Sequence, residues 1–181
     1  MLKEPVDLSA FKPEYPAPPR MQWFVMFVLS WIAGIWQVLM RLTLGATVIG
    51  TWLPMLAVVV SSAFLLMQIL WFRKVNPNSL AFLLYLVWIV FHFVLTAVQI
   101  IQPGPVIADV VASVASGILY ISTNFVFRRE LQRHYNKVEP IGLELNAVAT
   151  FFFARYYFQA HFARIAELKD EAAAIPAQQT A

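Results

Sequence analysis

Four stretches of the chain, each of 20 residues or more, carry at most a single charge, and nothing else in it limits the fold as strongly. Residues 21–40 are uncharged between Arg20 and Arg41, residues 42–72 between Arg41 and Arg73, and residues 79–101 are uncharged as well. Residues 106–127 carry only Asp109. At about 1.5 Å of rise per residue, about 20 helical residues cross the ~30 Å hydrocarbon layer of a bilayer. The run over 42–72 is too long for one simple span, and Gly45, Gly50 and Pro54 break its first part. A short loop is therefore expected at 42–49 and a helix at 50–72. The expected fold is all-α: a four-helix transmembrane bundle with spans at 21–40, 50–72, 79–101 and 106–127, joined by polar turns at 73–78 and 102–105.

Composition agrees with a membrane protein. Of 181 residues, 60% are apolar and 13% charged, against about 25% charge in a soluble domain. The absence of cysteine excludes disulfides, thiolate metal sites and dithiol redox chemistry. The net charge of +3 comes from basic residues that flank apolar blocks. That placement reads as membrane topology rather than a nucleic-acid groove.

Four spans put both termini on one side. Lys3, Lys12, Arg20, Arg73, Lys74 and every basic residue from Arg128 onward then fall together, and only Arg41 falls opposite. The positive-inside rule makes the shared side cytoplasmic. Three or five spans would separate Arg20 from Arg128. Trp23 and Trp71 fall at the inner interface, Trp36 and Trp52 at the outer one, as in an aromatic belt. Residues 1–20 hold Glu4, Asp7, Glu14 and five prolines without an apolar core. They read as a Pro-rich cytoplasmic arm rather than a signal peptide: a disordered tail, or a strap that docks on a neighbouring subunit.

After the last span, residues 128–168 begin as a basic helix, break at Pro140 and Gly142, and become crowded with aromatics. The longest uncharged run there, 145–154, is too short to cross a membrane. Projected on a helix, Asn146, Thr150, Tyr157, His161 and Arg164 share one sector. Val148, Phe151, Phe158 and Phe162 share the opposite one. An amphipathic helix in the cytoplasmic interface, or packed beneath the bundle, is expected. Arg155 interrupts its aromatic stripe. It either snorkels to lipid phosphates or, with Phe151, Phe158 and Phe162, docks the helix on the bundle or a partner through a cation–π contact to Phe151 or Phe158. Arg128, Arg129, Arg133 and Lys137 are expected to attract anionic headgroups, each by up to ~1 kcal/mol. Glu130 and His134 stand four apart, a possible start of a metal site. No second carboxylate–histidine pair completes it, so no metal or other cofactor is expected and the two read as an exposed helix pair. Residues 169–181 are expected to be disordered.

Polar residues recur inside the spans. His92, Thr96 and Gln99 share one helix face; Asp109, Ser113, Ser116, Tyr120 and Thr123 form another stripe. Counted from the 102–105 turn, His92 lies about 15 Å deep and Ser116 about 16 Å deep. Ser61 and Ser62 reach a similar depth. Asp109 lies only ~6 Å inside, level with Gln99 and out of reach of His92. The stripes read either as helix–helix glue, at about 0.6 kcal/mol per contact, or as a polar seam with His92 as a proton-linked or ligand-binding group.

The tail, through Arg129-Glu130-Leu131, His134-Tyr135-Asn136, Glu139-Pro140-Ile141-Gly142-Leu143, Thr150-Phe151-Phe152-Phe153, Tyr157-Phe158-Gln159 and His161, resembles the C-terminal part of small multi-pass bacterial membrane proteins of unknown function. The resemblance covers about the last quarter of the chain and implies a bacterial inner-membrane location, with no activity attached. No phosphate loop, nucleophile elbow or HExxH is present. The expected function is therefore that of a non-enzymatic scaffold or accessory subunit. It would contact the lipid bilayer and a membrane-protein partner or further copies of itself. The alternative is a small transporter or channel component using the seam around His92.

Overall fold

The computed structural model describes residues 6–20, 48–101 and 106–179, with 22, 24, 28 and 32; within the helices, side chains 48–58, 60, 61, 99, 100, 106, 109 and 175–179 are left out of the description. Apart from those four residues, the expected span at 21–40 lies outside the described residues, as do the 102–105 turn and the side chains of Ser61, Gln99 and Asp109. The described chain is all-helical. A 3-10 turn at Leu8–Ala10 in the arm precedes α1 (Val48–Val75), α2 (Leu80–Ile101), α3 (Val106–Lys137) and α4 (Ala147–Gln179), with no β-strand among the described residues.

The α1–α2 turn is fastened from outside. Ser79 caps α2, its Oγ accepting from Phe82 N at 3.1 Å. The Glu130 carboxylate of α3 accepts from Ser79 Oγ at 2.5 Å, Leu80 N at 2.9 Å and Ala81 N at 3.3 Å. A carboxylate at a helix N-terminus satisfies orphan amides and meets the positive end of the helix dipole. Glu130 thus fixes the register of α3 against α2 rather than standing exposed beside His134. The span and the basic segment, read apart at 127/128, form one helix of 32 residues. Residues 128–137 contain neither Gly nor Pro, and charge alone does not end a helix.

α3 ends at the expected break, where Gly142 takes a left-handed φ of 70°. The loop returns along α3 in extended form, burying alternate residues Ile141, Leu143 and Leu145. Asn136 Nδ2 donates to Leu143 O at 3.0 Å and Arg128 Nε to Leu145 O at 2.8 Å. Asn146 then caps α4, its Oδ1 accepting from Val148 N at 2.8 Å and Ala149 N at 3.1 Å.

α4 kinks at Ala154, whose φ of 30° and ψ of −104° are non-helical. The kink splits the single aromatic stripe expected from the sequence. Val148, Phe151, Phe152 and Phe153 before it are exposed, whereas Phe158 and Phe162 after it are buried. The helix also continues to Gln179, beyond residue 168 where disorder is expected.

The core gathers where the C-terminal ends of α1 and α3, the N-terminal end of α2 and the second half of α4 meet. Phe127 is its hub, edge-on to Phe72 at 5.0 Å and Phe158 at 5.1 Å, with Trp71 against Phe162 at 4.8 Å. Away from this end the helices turn apolar side chains outward. Leu80–Val98 and Val110–Lys137 are long and apolar enough to cross a membrane, yet only 33% and 22% of these windows are buried. The core helix of a water-soluble domain would be mostly buried instead.

Candidate functional site

Two polar centres stand out among the described residues, one at each end of the packed core. The first joins the Pro-rich arm to the tail. Glu139 is fully buried, and its Oε1 accepts from Lys169 Nζ at 2.7 Å and from Lys12 N at 3.0 Å. His134 Nε2 lies 3.1 Å from Glu139 Oε2. Burial alone would raise the Glu139 pKa, but the hydrogen bonds from His134, Lys169 and the Lys12 amide, with the lysine charge, hold it below the ordinary value. Tyr15 stacks edge-on to His134 at 4.9 Å, and its carbonyl accepts from Lys169 Nζ at 3.1 Å. Further along the arm, Pro16 O accepts from Trp71 Nε1 at 3.0 Å and Pro19 O from Gln159 Nε2 at 2.6 Å. Arg20 pairs with Asp170 and donates to Ala166 O at 3.1 Å. Prolines suit this strap because an extended segment offers carbonyls to neighbours and loses little entropy on docking. The arm, read from sequence as a disordered tail or as a strap on a neighbouring subunit, is laid on the chain's own α1 and tail.

Of the four expected tail-docking residues, Phe158 and Phe162 dock. Phe151 is exposed, and Arg155 sits over Tyr156 with its guanidinium 5.0 Å from the ring, rather than over Phe151 or Phe158. The polar latch between tail and bundle is a glutamine pair absent from the sequence reading. Gln68 Nε2 donates to Gln159 Oε1 at 2.9 Å and to Arg155 O at 3.1 Å, with both glutamines fully buried. Among the expected headgroup residues, Arg129, Arg133 and Lys137 are exposed, while Arg128 is half-buried and spent on the Leu145 carbonyl. His161, packed edge-on to Tyr157 at 4.7 Å, is pushed down to about 4 by burial.

The second centre is a cavity of about 230 Å³ between α2 and α3. Trp88, His92 and Thr96 line it from α2, and Ser113, Ser116, Gly117 and Tyr120 from α3. His92 and Ser116, level by the depth count, lie with Nδ1 and Oγ 3.4 Å apart. Thr96 Oγ1 donates back to His92 O at 2.8 Å. Trp88 lies parallel to His92 at 5.1 Å and 11°, and 4.8 Å from Tyr120. Ser62, also expected in this seam, is buried in α1 with its hydroxyl unpartnered among the described residues, and it is not one of the cavity's lining residues. The described residues hold no cluster of three or more His, Cys, Asp or Glu side chains suited to a metal.

No family model, no curated protein and no solved structure matches this chain.

Proposed function

We propose that the chain is a non-enzymatic, multi-pass integral membrane protein of a bacterial inner membrane, acting as a scaffold or accessory subunit of a membrane assembly. In this reading residues 21–40 and α1–α3 cross the bilayer and both termini are cytoplasmic. The mostly exposed apolar windows of α2 and α3 support membrane insertion, and the grouping of twelve basic residues on one side supports the orientation.

One observation favours an accessory role over a transporter: the layer formed by Phe72, Tyr85, Phe127, Phe158 and Phe162. All five are buried and packed ring on ring across the charged end of α1–α3. A solute path from the His92 seam would have to breach this layer, the Gln68–Gln159 latch and the arm beneath it. Such a plug suits a rigid platform whose outer helix faces meet another membrane protein or a second copy.

Native mass spectrometry of the protein extracted from its own membrane in mild detergent tests the role. A stoichiometric second subunit or a defined homo-oligomer is expected. A monomer carrying only lipid would overturn it. Because the chain has no cysteine, Asn78→Cys and Gly104→Cys report sidedness separately. The first should react with a membrane-impermeant maleimide only after permeabilisation and the second in intact cells; the reverse pattern would invert the topology.

A further inference from the structure

We propose that the cavity between α2 and α3 is a binding site for a neutral, planar, lipid-soluble carbonyl compound of the quinone class. The inference rests on α2 and α3 lying in a bilayer, and it goes beyond the accessory role.

The walls set the shape of the occupant. Indole and imidazole lie parallel on one side, with the Tyr120 ring next to them, so the cavity offers flat π faces that favour a flat ring. Its ~230 Å³ falls below the roughly 300–1,000 Å³ of drug-sized sites and suits one substituted ring. The floor at Gly117 is open: a Cβ built there would meet nothing within 4 Å. Ser113 at the rim is exposed, and His92, Gly117 and Tyr120 are half-buried. The mouth therefore opens on the flank of the bundle, through which a compound dissolved in the bilayer would enter, while the aromatic layer closes the way toward the charged end.

The polar atoms set the chemistry. Among the lining residues there is no charged side chain, which excludes an ionic ligand in a low-dielectric setting. Thr96 has its hydroxyl engaged by the His92 carbonyl. The His92–Ser116 contact leaves one donor over in either tautomer. If Ser116 donates to Nδ1, the Nε2–H remains; if Nδ1–H donates to Ser116, the hydroxyl hydrogen remains. That spare donor belongs to a pair lining a cavity with aromatic walls. A ligand that brings carbonyl acceptors on a flat ring satisfies both features.

The test uses the full-length protein, shown first to stay with membranes in alkaline carbonate and then reconstituted in nanodiscs. Release by carbonate would defeat the membrane reading before any ligand is added, so the two failures are distinguishable. Decylubiquinone is titrated and the saturable part of tryptophan quenching is read. The expected result is saturation at one molecule per chain, not competed by decylbenzene, which keeps the ring and chain but lacks the carbonyls. Gly117→Leu, which fills the floor, should abolish the saturable part. Gly117→Ala, whose methyl meets nothing, should fold as wild type and weaken binding about 3-fold. His92→Phe should weaken it at least 10-fold. Quenching that rises linearly without saturation, equal competition by decylbenzene, or saturable binding unchanged in both Gly117 variants would each overturn the proposal.

Discussion

Glu139 shows how much one side chain organises here. It is fully buried and joins three parts of the chain: the arm through the Lys12 amide, α3 through His134 and α4 through Lys169. Removing one partner of a buried ion pair leaves the other charge uncompensated, at about 3–5 kcal/mol. Glu139→Ala is therefore expected to destabilise the protein on that order and to loosen the arm. Trypsin should then cut after Arg20 at concentrations the wild type resists, and the fragment masses would identify the site. Acid should act in the same direction. The Glu139 carboxyl has a folded pKa below its ordinary value of 4.5, so its contribution is complete above that value and is lost as pH falls through the folded pKa. His161 has its pKa lowered from 6.5 to about 4; between those values the unfolded chain binds a proton that the folded chain does not, and stability falls as pH drops. Thermal unfolding should be flat above about pH 6.5 and decline steadily toward pH 4, first through His161 and then through Glu139. His161→Gln should remove the upper part of the decline while leaving the lower.

At the scale of elements, α4 turns on Ala154. A φ of 30° with ψ of −104° is open to glycine but costly for a residue with a Cβ, on the order of 1–3 kcal/mol. Ala154→Gly should stabilise the protein by about 1 kcal/mol once the greater entropy of the unfolded glycine chain is subtracted, and so raise the unfolding temperature. Ala154→Val should lower it; a straightened helix would reverse the sign for Ala154→Gly. The kink also marks where the sequence was hard to read. Periods of three and four made Val148, Phe151, Phe158 and Phe162 one stripe, because projection assumes an unbroken helix and Ala154 is a good helix former. The helices expected at 50–72, 79–101 and 106–127 were legible, since length and lack of charge fix them, as were the break at Pro140–Gly142 and the level pairing of His92 with Ser116, which follow from local chemistry and rise per residue. Glu139, Lys169, Gln68 and Gln159 were not. Apart from His134, five residues before Glu139, their partners lie 30 to 154 residues away in the chain, and nothing local distinguishes a buried glutamine from a solvated one.

For the whole molecule, the packed core and the apolar surface are separated along the helix axes. Rings, the glutamine latch and the Glu139 centre consolidate one end, while the outer faces of α2 and α3 leave apolar side chains exposed. Phe151, Phe152 and Phe153 lie on the near side of the kink, exposed and followed by the buried half of α4. Three exposed phenylalanines beside capped helix ends fit a foot set in the interfacial region of the bilayer, where apolar rings leave water and backbone groups are already satisfied. The kink then has a geometric consequence: it lets one helix present rings to lipid with its first turns and rings to the bundle with the rest. Nitroxide labels on single cysteines test this placement. A label at Phe152→Cys should collide with oxygen in preference to a water-soluble nickel chelate, and a label at Glu171→Cys, on the exposed side of α4, should show the reverse. Equal nickel accessibility at both sites would place the whole of α4 in water and remove the foot.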